Sequence, residues 1–366
     1  MKVLHICTDK NIGGAGHWIL NLLRYADREQ IAATVLLPRD AKLAPLLRCA
    51  GIQVVEAPIR EKSLDLRGIF SLVREITRLD PDIVHTHGSF SGRIAARLKG
   101  KKIVATRHWA MLPEGTAKRG GKTRLAGKLN AGLADMWIAT AQTAATDLIE
   151  SGVPAQKIEV ILNGVDPVKR RPDTWVEQER ARIGASGCVI GMLARLEMVK
   201  GHRYMLQAAA NLKARGRVFT LLIAGAGSLC ARLEEQALAL GLCEQVRFLG
   251  FYENPGDFLN LLDIQVNASD TETSCLALLE GMSLGLLTVA SDGGGNGEVI
   301  TAGENGLIFP AADAAALTAS IERLMDDCVF CDTIRAGAVR TFRAKFTAEA
   351  FAGQVEQAYY KLMKKE

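Results

Sequence analysis

Two carboxylates and two cations set the chemistry open to this chain. Glu272 and Glu280 stand eight residues apart in SDTETSCLALLEGM, where a polar run gives way to an apolar helical pattern. From a helix start near Ser274, the residues up to Glu280 cover roughly 9 Å at helical rise. A carboxylate in the loop and another on the second turn can then reach opposite ends of one extended ligand, such as a nucleotide sugar. The backbone N–H groups of Ser274, Cys275 and Leu276 lie between them, and a helix N-terminus favours phosphate. A plain capping box with Thr271 or Thr273 as cap residue produces the same pattern. Arg195 and Lys200, five residues apart in GMLARLEMVKGH, follow an apolar strand at the end where open α/β sheets hold ligands. A guanidinium fork and a mobile ammonium can clamp a diphosphate and stabilise charge on it as it departs. Two cations on a solvated loop read alike.

Gly13 and Gly14 follow the first strand and precede a helix, so the backbone can approach an anion closely there. The spacing GGAG is not GxGxxG, and the dinucleotide fingerprint fails. A second turn, Gly225-Ala226-Gly227, leads to a strand ending at Gly250-Phe251 and not at an acidic ribose ligand. His85 and His87 in HTHGSFSG lie on one face of a strand. A metal pair is rejected there, since no third ligand is evident from the sequence. Cys328 and Cys331 form a CxxC without a second pair or a strand-to-helix redox setting.

These residues need elements to position them. The chain of 366 residues is 48% hydrophobic and 23% charged, a globular composition with room for two domains. Short β-rich runs alternate with helical patterns throughout, which predicts an α/β chain of two doubly wound, Rossmann-like domains facing across a cleft. The expected division is a first domain over 1–168, a hinge over 169–185 and a second domain over 186–347. Pro167 and Pro172 bracket the positive charges of the hinge. A terminal helix over 348–366, with Tyr359-Tyr360, has the length to cross back to the first domain. No apolar run approaches the roughly 20 residues that span a bilayer, and the eight cysteines are scattered without a disulfide framework. A cytoplasmic protein is expected.

Charge is uneven. Residues 1–165 carry 24 Lys and Arg against 15 Asp and Glu, and the remainder 21 against 25. Much of the excess lies between Arg97 and Lys128, at Lys99, Lys101, Lys102, Arg107, Lys118, Arg119, Lys122, Arg124 and Lys128 around Trp109, Met111 and Leu112. Such a cluster is either a solvated surface or an attraction for a phosphate-bearing acceptor or an anionic leaflet. Nucleic acid is not expected, because no stacking motif or reader helix accompanies the charge.

Taken together, Gly13-Gly14, Asn163-Gly164-Val165-Asp166, Arg195 with Lys200, Glu272 with Glu280, and Ser291-Asp292-Gly293-Gly294 followed by Glu298 and Asn305-Gly306 resemble, in order and spacing, the retaining nucleotide-sugar glycosyltransferases of the GT-B fold, family 4. The likeness covers nearly the whole chain and is strongest between Val189 and Pro310. It implies that Arg195 and Lys200 bind the donor diphosphate, Glu272 the hydroxyls of the transferred sugar, Glu280 the nucleotide ribose, and Gly14 the diphosphate from the first domain. It further implies that His108, in Thr106-Arg107-His108, serves beside the transferred sugar, with His85, His87 and Arg107 as acceptor-side candidates. No metal and no cofactor are expected. The donor is a nucleoside-diphosphate sugar, UDP ahead of GDP or ADP, and the acceptor a glycan, a lipid-linked precursor or a small molecule, with a peripheral position on an anionic membrane open. Where many relatives have glycine and phenylalanine after the first glutamate, this chain has Thr273-Ser274-Cys275, which leaves the transferred sugar undetermined.

Rival readings are a sugar-nucleotide epimerase of the same architecture and a dinucleotide-dependent oxidoreductase resting on the glycine turns and Asp40. A non-catalytic membrane-surface or phosphate-binding protein, resting on the basic cluster, is the third.

Overall fold

The structure, a computed structural model, describes residues 1–60, 65–109 and 130–364. Lys118, Arg119, Lys122, Arg124, Lys128, Met111 and Leu112 of the basic cluster lie outside the described residues. The chain divides into two compact units, Met1–Gly164 with Ala348–Glu366, and Val165–Thr347.

In the first unit, β1 (Lys2–Cys7), β2 (Ala32–Pro38), β3 (Gln53–Ala57), β4 (Ile83–His87), β5 (Lys102–Arg107), β6 (Met136–Ala139) and β7 (Ile158–Val160) form a parallel sheet. Its order is β3-β2-β1-β4-β5-β6-β7, so the winding reverses between β1 and β4. Strand side chains alternate between faces. Val3, Cys7 and Ile83 pack with Trp18, Ile19 and Leu22 of helix Gly14–Tyr25. Leu4, Ile6 and Val84 pack on the other face with Ile69, Leu72 and Ile76 of helix Leu66–Leu79. Burial on both faces explains the nearly unbroken apolar strands, at about 1.5–3 kcal/mol for each large side chain removed from water.

Helix Ala348–Met363 belongs to this unit. Its Phe351, Val355 and Tyr359 join the core around Trp18, and the Tyr360 hydroxyl donates to Gln30 Oε1 at 2.8 Å.

The second unit holds β8 (Cys188–Leu193), β9 (Phe219–Ala224), β10 (Val246–Gly250), β11 (Ile264–Asn267), β12 (Leu287–Ser291) and β13 (Leu307–Phe309), all parallel, in the order β10-β9-β8-β11-β12-β13. Here the winding reverses between β8 and β11.

The stretch 169–185, expected as a hinge, is instead structured within this unit. Pro172 sits at the N-cap of helix Asp173–Ile183, a position that needs no intrahelical N–H, and Gly184 ends it at φ 69°. The charges that suggested a linker find partners: Arg171 forks onto Asp257 at 2.6 and 2.9 Å and Arg170 donates to Leu284 O at 2.5 Å, while within the helix Arg180 meets Asp263 at 2.9 Å. Trp175 and Ile183 pack against the cluster containing Phe258 and Leu259.

Among the described residues no helix is long and apolar enough to cross a membrane. The cysteines are free thiols, and within the CxxC Cys328 is exposed while Cys331 is buried.

Candidate functional site

The reversal between β8 and β11 brings two loops side by side. The loop after β8 carries Arg195 and a short turn, Met198–Lys200; the loop after β11 carries Glu272. They are joined directly, since Asp270 N–H donates to Val199 O at 2.8 Å. Gly201 closes the joint at φ 70°, where an added Cβ would stand 1.8 Å from Ala268 O, so a side chain is excluded twice, by conformation and by space.

On this frame Lys200 Nζ lies 2.5 Å from Glu272 Oε1. Ser269 Oγ donates to the same oxygen at 2.9 Å, and Asn267 Nδ2 stands 3.5 Å away. The side chains keep only 16% (Lys200) and 11% (Glu272) of their exposure, which places the pair in a low-dielectric setting. The glycine turn after β12 fixes the Glu272 backbone from behind. Gly295 N–H donates to Glu272 O at 3.0 Å, and Gly294, at φ 70°, leaves that carbonyl no room for a Cβ. Ser291 Oγ and Asn296 brace the turn through Ser269 O and Ser291 O, and Asn305 holds Thr301 and Val299.

Arg195 is exposed, and no ion pair holds it among the described residues. Glu280 sits half-buried in the second turn of helix Leu276–Leu284. Burial, with no cation to offset it, raises its carboxyl to about 7. The helix begins at Leu276, with Cys275 at the N-cap, two residues later than its expected start near Ser274. Neither Thr271 nor Thr273 is the cap, and the chain bends before Cys275. Of the three expected backbone donors, Leu276 alone lies in the helix, and Ser274 and Cys275 precede it. The Cys275 thiol is pushed up to about 11 by burial and then by the Glu272 charge.

In the first unit, Gly13 is the N-cap of helix Gly14–Tyr25, and no side chain caps that end. A Cβ at Gly14 would meet nothing within 4 Å, whereas one at Gly13 would stand 3.1 Å from Asp9 Oδ2.

The histidines depart from expectation. β1 and β4 pair in parallel with His5 opposite His85, and the structure supplies the third imidazole that was not evident from the sequence. His85 is fully buried and His87 4% exposed, so neither lines an acceptor surface. Both nitrogens of His85 are engaged, Nδ1 with Tyr359 Oη and Nε2 with Thr106 Oγ1, each at 2.6 Å. His87 Nε2 meets His5 Nδ1 at 3.2 Å and its Nδ1 meets His108 Nε2 at 3.0 Å. Burial lowers His5 and His108 to about 3 and holds His85 and His87 well below the usual range, so all four rings are neutral at pH 7. One nitrogen each from His5, His85 and His87 lies within 4.8 Å of the others, a grouping that could hold a metal ion. Yet the rings stack, at 16° for His5 with His87 and 27° for His85 with His87. A zinc ion at about 2.0–2.1 Å from each nitrogen needs planes that converge on it.

Arg107 is half-buried, paired with Asp147 and laid over the Trp109 ring at 3.5 Å. Arg97 pairs with Asp135 and Lys101 with Asp80, which removes part of the basic cluster's free charge.

Comparison with known proteins agrees with this architecture. Residues 173–340 match the family Glycosyl transferases group 1, and residues 12–169 match Glycosyltransferase Family 4. The D-inositol 3-phosphate glycosyltransferase 1 of Catenulispora acidiphila is 30% identical over 287 residues, 71% of this chain and 68% of that protein. EpsF of Bacillus subtilis, named as a glycosyltransferase, is 29% identical over 304 residues, 80% of this chain and 79% of its own. The crystal structure of Anabaena Alr3699/HepE in complex with UDP and glucose superposes with a TM-score of 0.85 over 98% of this chain and 99% of that one, at 23% identity. The chain belongs to the family 4 glycosyltransferases and has the two doubly wound α/β domains of the GT-B fold.

Proposed function

We propose that this protein moves a sugar from UDP to an acceptor hydroxyl with retention at the anomeric carbon and without a metal ion. The observation that carries the reading is the Lys200–Glu272 pair, held at the strand reversal of the second unit, where open α/β sheets bind ligands.

A diphosphate arriving there takes the Lys200 ammonium and the Arg195 guanidinium, filling the charge-neutralising part that a divalent cation plays in other transferases. Glu272, released from Lys200, accepts hydrogen bonds from the sugar hydroxyls. Glu280 accepts from the ribose. The anomeric carbon–phosphate oxygen bond breaks, the acceptor oxygen bonds to that carbon on the same face, and its proton passes to the departing phosphate. Glu272 positions and forms no covalent intermediate, which separates it from the paired carboxylates of glycosidases.

UDP is preferred over GDP or ADP because the Anabaena neighbour was crystallised with UDP. The first unit supplies Gly14 for the donor diphosphate and His108 for the transferred sugar, as well as the acceptor side. Its basic residues suit a phosphate-bearing, lipid-linked acceptor at the cytoplasmic face of an anionic membrane.

The test is a transfer assay with UDP-, GDP- and ADP-sugars in the presence of a chelator, read by NMR at the anomeric carbon. Retained configuration in chelator supports the reading. An inverted product overturns retention, loss of transfer overturns metal independence, and conversion of donor without acceptor points to the epimerase.

A further inference from the structure

Three donors converge on one oxygen of Glu272. Lys200 Nζ stands 2.5 Å from Oε1, Ser269 Oγ 2.9 Å and Asn267 Nδ2 3.5 Å. Oε2 has no partner among the described residues, and it is not sealed from solvent. An ionised carboxylate accepts at both oxygens and donates at neither. The protein therefore holds one oxygen and leaves the other for an incoming group.

The three holds differ in permanence. Lys200 carries a mobile ammonium on a flexible stem, and on the proposed function it turns to the diphosphate. Ser269 has no such freedom. It is 1% exposed, its N–H donates to Asn267 Oδ1 at 3.1 Å, and its carbonyl accepts from Ser291 Oγ at 2.6 Å. Ser291 and Asn296 are themselves fully buried, and Asn296 Nδ2 donates to Ser291 O at 3.1 Å. Asn267, buried at the end of β11, takes the Ser269 N–H with its Oδ1, which leaves its Nδ2 to lean toward Glu272. A buried hydroxyl donating to a charged oxygen makes one of the stronger hydrogen bonds, so Oε1 keeps its orientation after the lysine has turned away.

We propose that Ser269 and Asn267 are positioning residues that anchor Glu272 Oε1 once Lys200 engages the donor, so that Oε2 alone meets the transferred sugar and selects a hydroxyl at one place on it. This role rests on the reading that Glu272 binds that sugar, and the groups that fill it all belong to the second unit.

Calorimetric titration of the full chain, without acceptor, separates the outcomes. The probes are UDP, UDP-glucose, UDP-galactose, UDP-N-acetylglucosamine and the monodeoxy analogues of whichever of these sugars binds most tightly. In the unmodified protein, deletion of the selected hydroxyl should weaken binding about tenfold or more, as loss of a hydrogen bond to a charged group does. In Ser269→Ala the same deletion should weaken it no more than about threefold, while UDP itself binds as before. Asn267→Ala, which removes the longer contact, and Ser269→Cys, which keeps the volume and a weak donor, should fall between. Full discrimination in Ser269→Ala, or equal weakening of UDP and every UDP-sugar, overturns the proposal. If Glu272→Ala loses the discrimination and Ser269→Ala keeps it, the positioning role alone falls. If Glu272→Ala keeps it too, or no single deletion matters in the unmodified protein, the sugar-binding role of Glu272 falls as well.

Discussion

Lys200 and Glu272, 72 residues apart in sequence, form a 2.5 Å ion pair across the loops of β8 and β11. Removing one partner strands a charge in a mostly buried place, whereas removing both does not. The losses of stability in Lys200→Ala and Glu272→Ala should add up to more than the loss in the double variant. A coupling energy of about 1–3 kcal/mol is expected from a denaturant double-mutant cycle. Additive effects would mean that the pair contributes nothing as a pair.

On the proposed function the same lysine also serves turnover. Lys200→Ala should cut kcat by about two to three orders of magnitude, the typical loss when one group stabilising a departing charge is removed. Glu272→Gln, which keeps the shape and one acceptor oxygen, should lose less. Transfer by Lys200→Ala at the unmodified rate would remove the phosphate clamp from the mechanism.

On the proposed function, in which Glu280 meets the ribose, donor binding depends on pH. Its carboxyl is raised from 4.5 to about 7 by burial, so the folded protein prefers it protonated. The sign follows: this group's ionisation costs stability as pH climbs from the unfolded value through 7, and below the unfolded value it costs nothing. Ribose hydroxyls donate to a carboxylate, so donor binding favours the ionised form. Affinity for a UDP-sugar should rise by up to about tenfold from pH 6 to pH 8, with proton release seen by calorimetry in two buffers. His108 and His202, held at about 3 and 4, do not titrate in that window. Glu280→Gln should flatten the profile, and a flat profile in the unmodified protein would count against the ribose role.

What the sequence reveals and what it hides follow a physical division. Strands such as Cys188–Leu193 and helices such as Ala314–Asp326 are legible because their apolar periods are local. Lys200 and Glu272 are legible as a motif, but their ion pair depends on β8 lying beside β11, a long-range pairing. His5 escapes notice for the same reason. A lone histidine inside VLHIC looks like an ordinary core residue, and only the parallel register that sets it opposite His85 gives it meaning. Pro167 and Pro172 suggest a linker because proline does not distinguish a hinge from a helix start; the partners of Arg171 and Arg180 do. The late start of helix Leu276–Leu284 is hidden because Thr271, Thr273 and Ser274 are all better cap residues than Cys275, which takes the position.

Cys275 offers a check on how tightly the donor loop is closed in solution. Its thiol is raised to about 11, first by burial and then by the neighbouring Glu272 charge, with Lys200 opposing. The thiolate is the reactive form, so at pH 8 only about one molecule in a thousand can be attacked at this position. Cys49, Cys243 and Cys328 are exposed. Iodoacetamide at pH 8, followed by peptide mass spectrometry, should modify those three readily and leave Cys275 intact over the same time. Because burial outweighs the charge, Glu272→Gln should raise Cys275 reactivity only slightly, while a variant that loosens the joint, Gly201→Ala, should raise it strongly through clash with Ala268 O. Alkylation of Cys275 as fast as the exposed thiols would show that the loop opens without a donor, and the Lys200–Glu272 pair would then be a transient contact instead of the organising feature of the site.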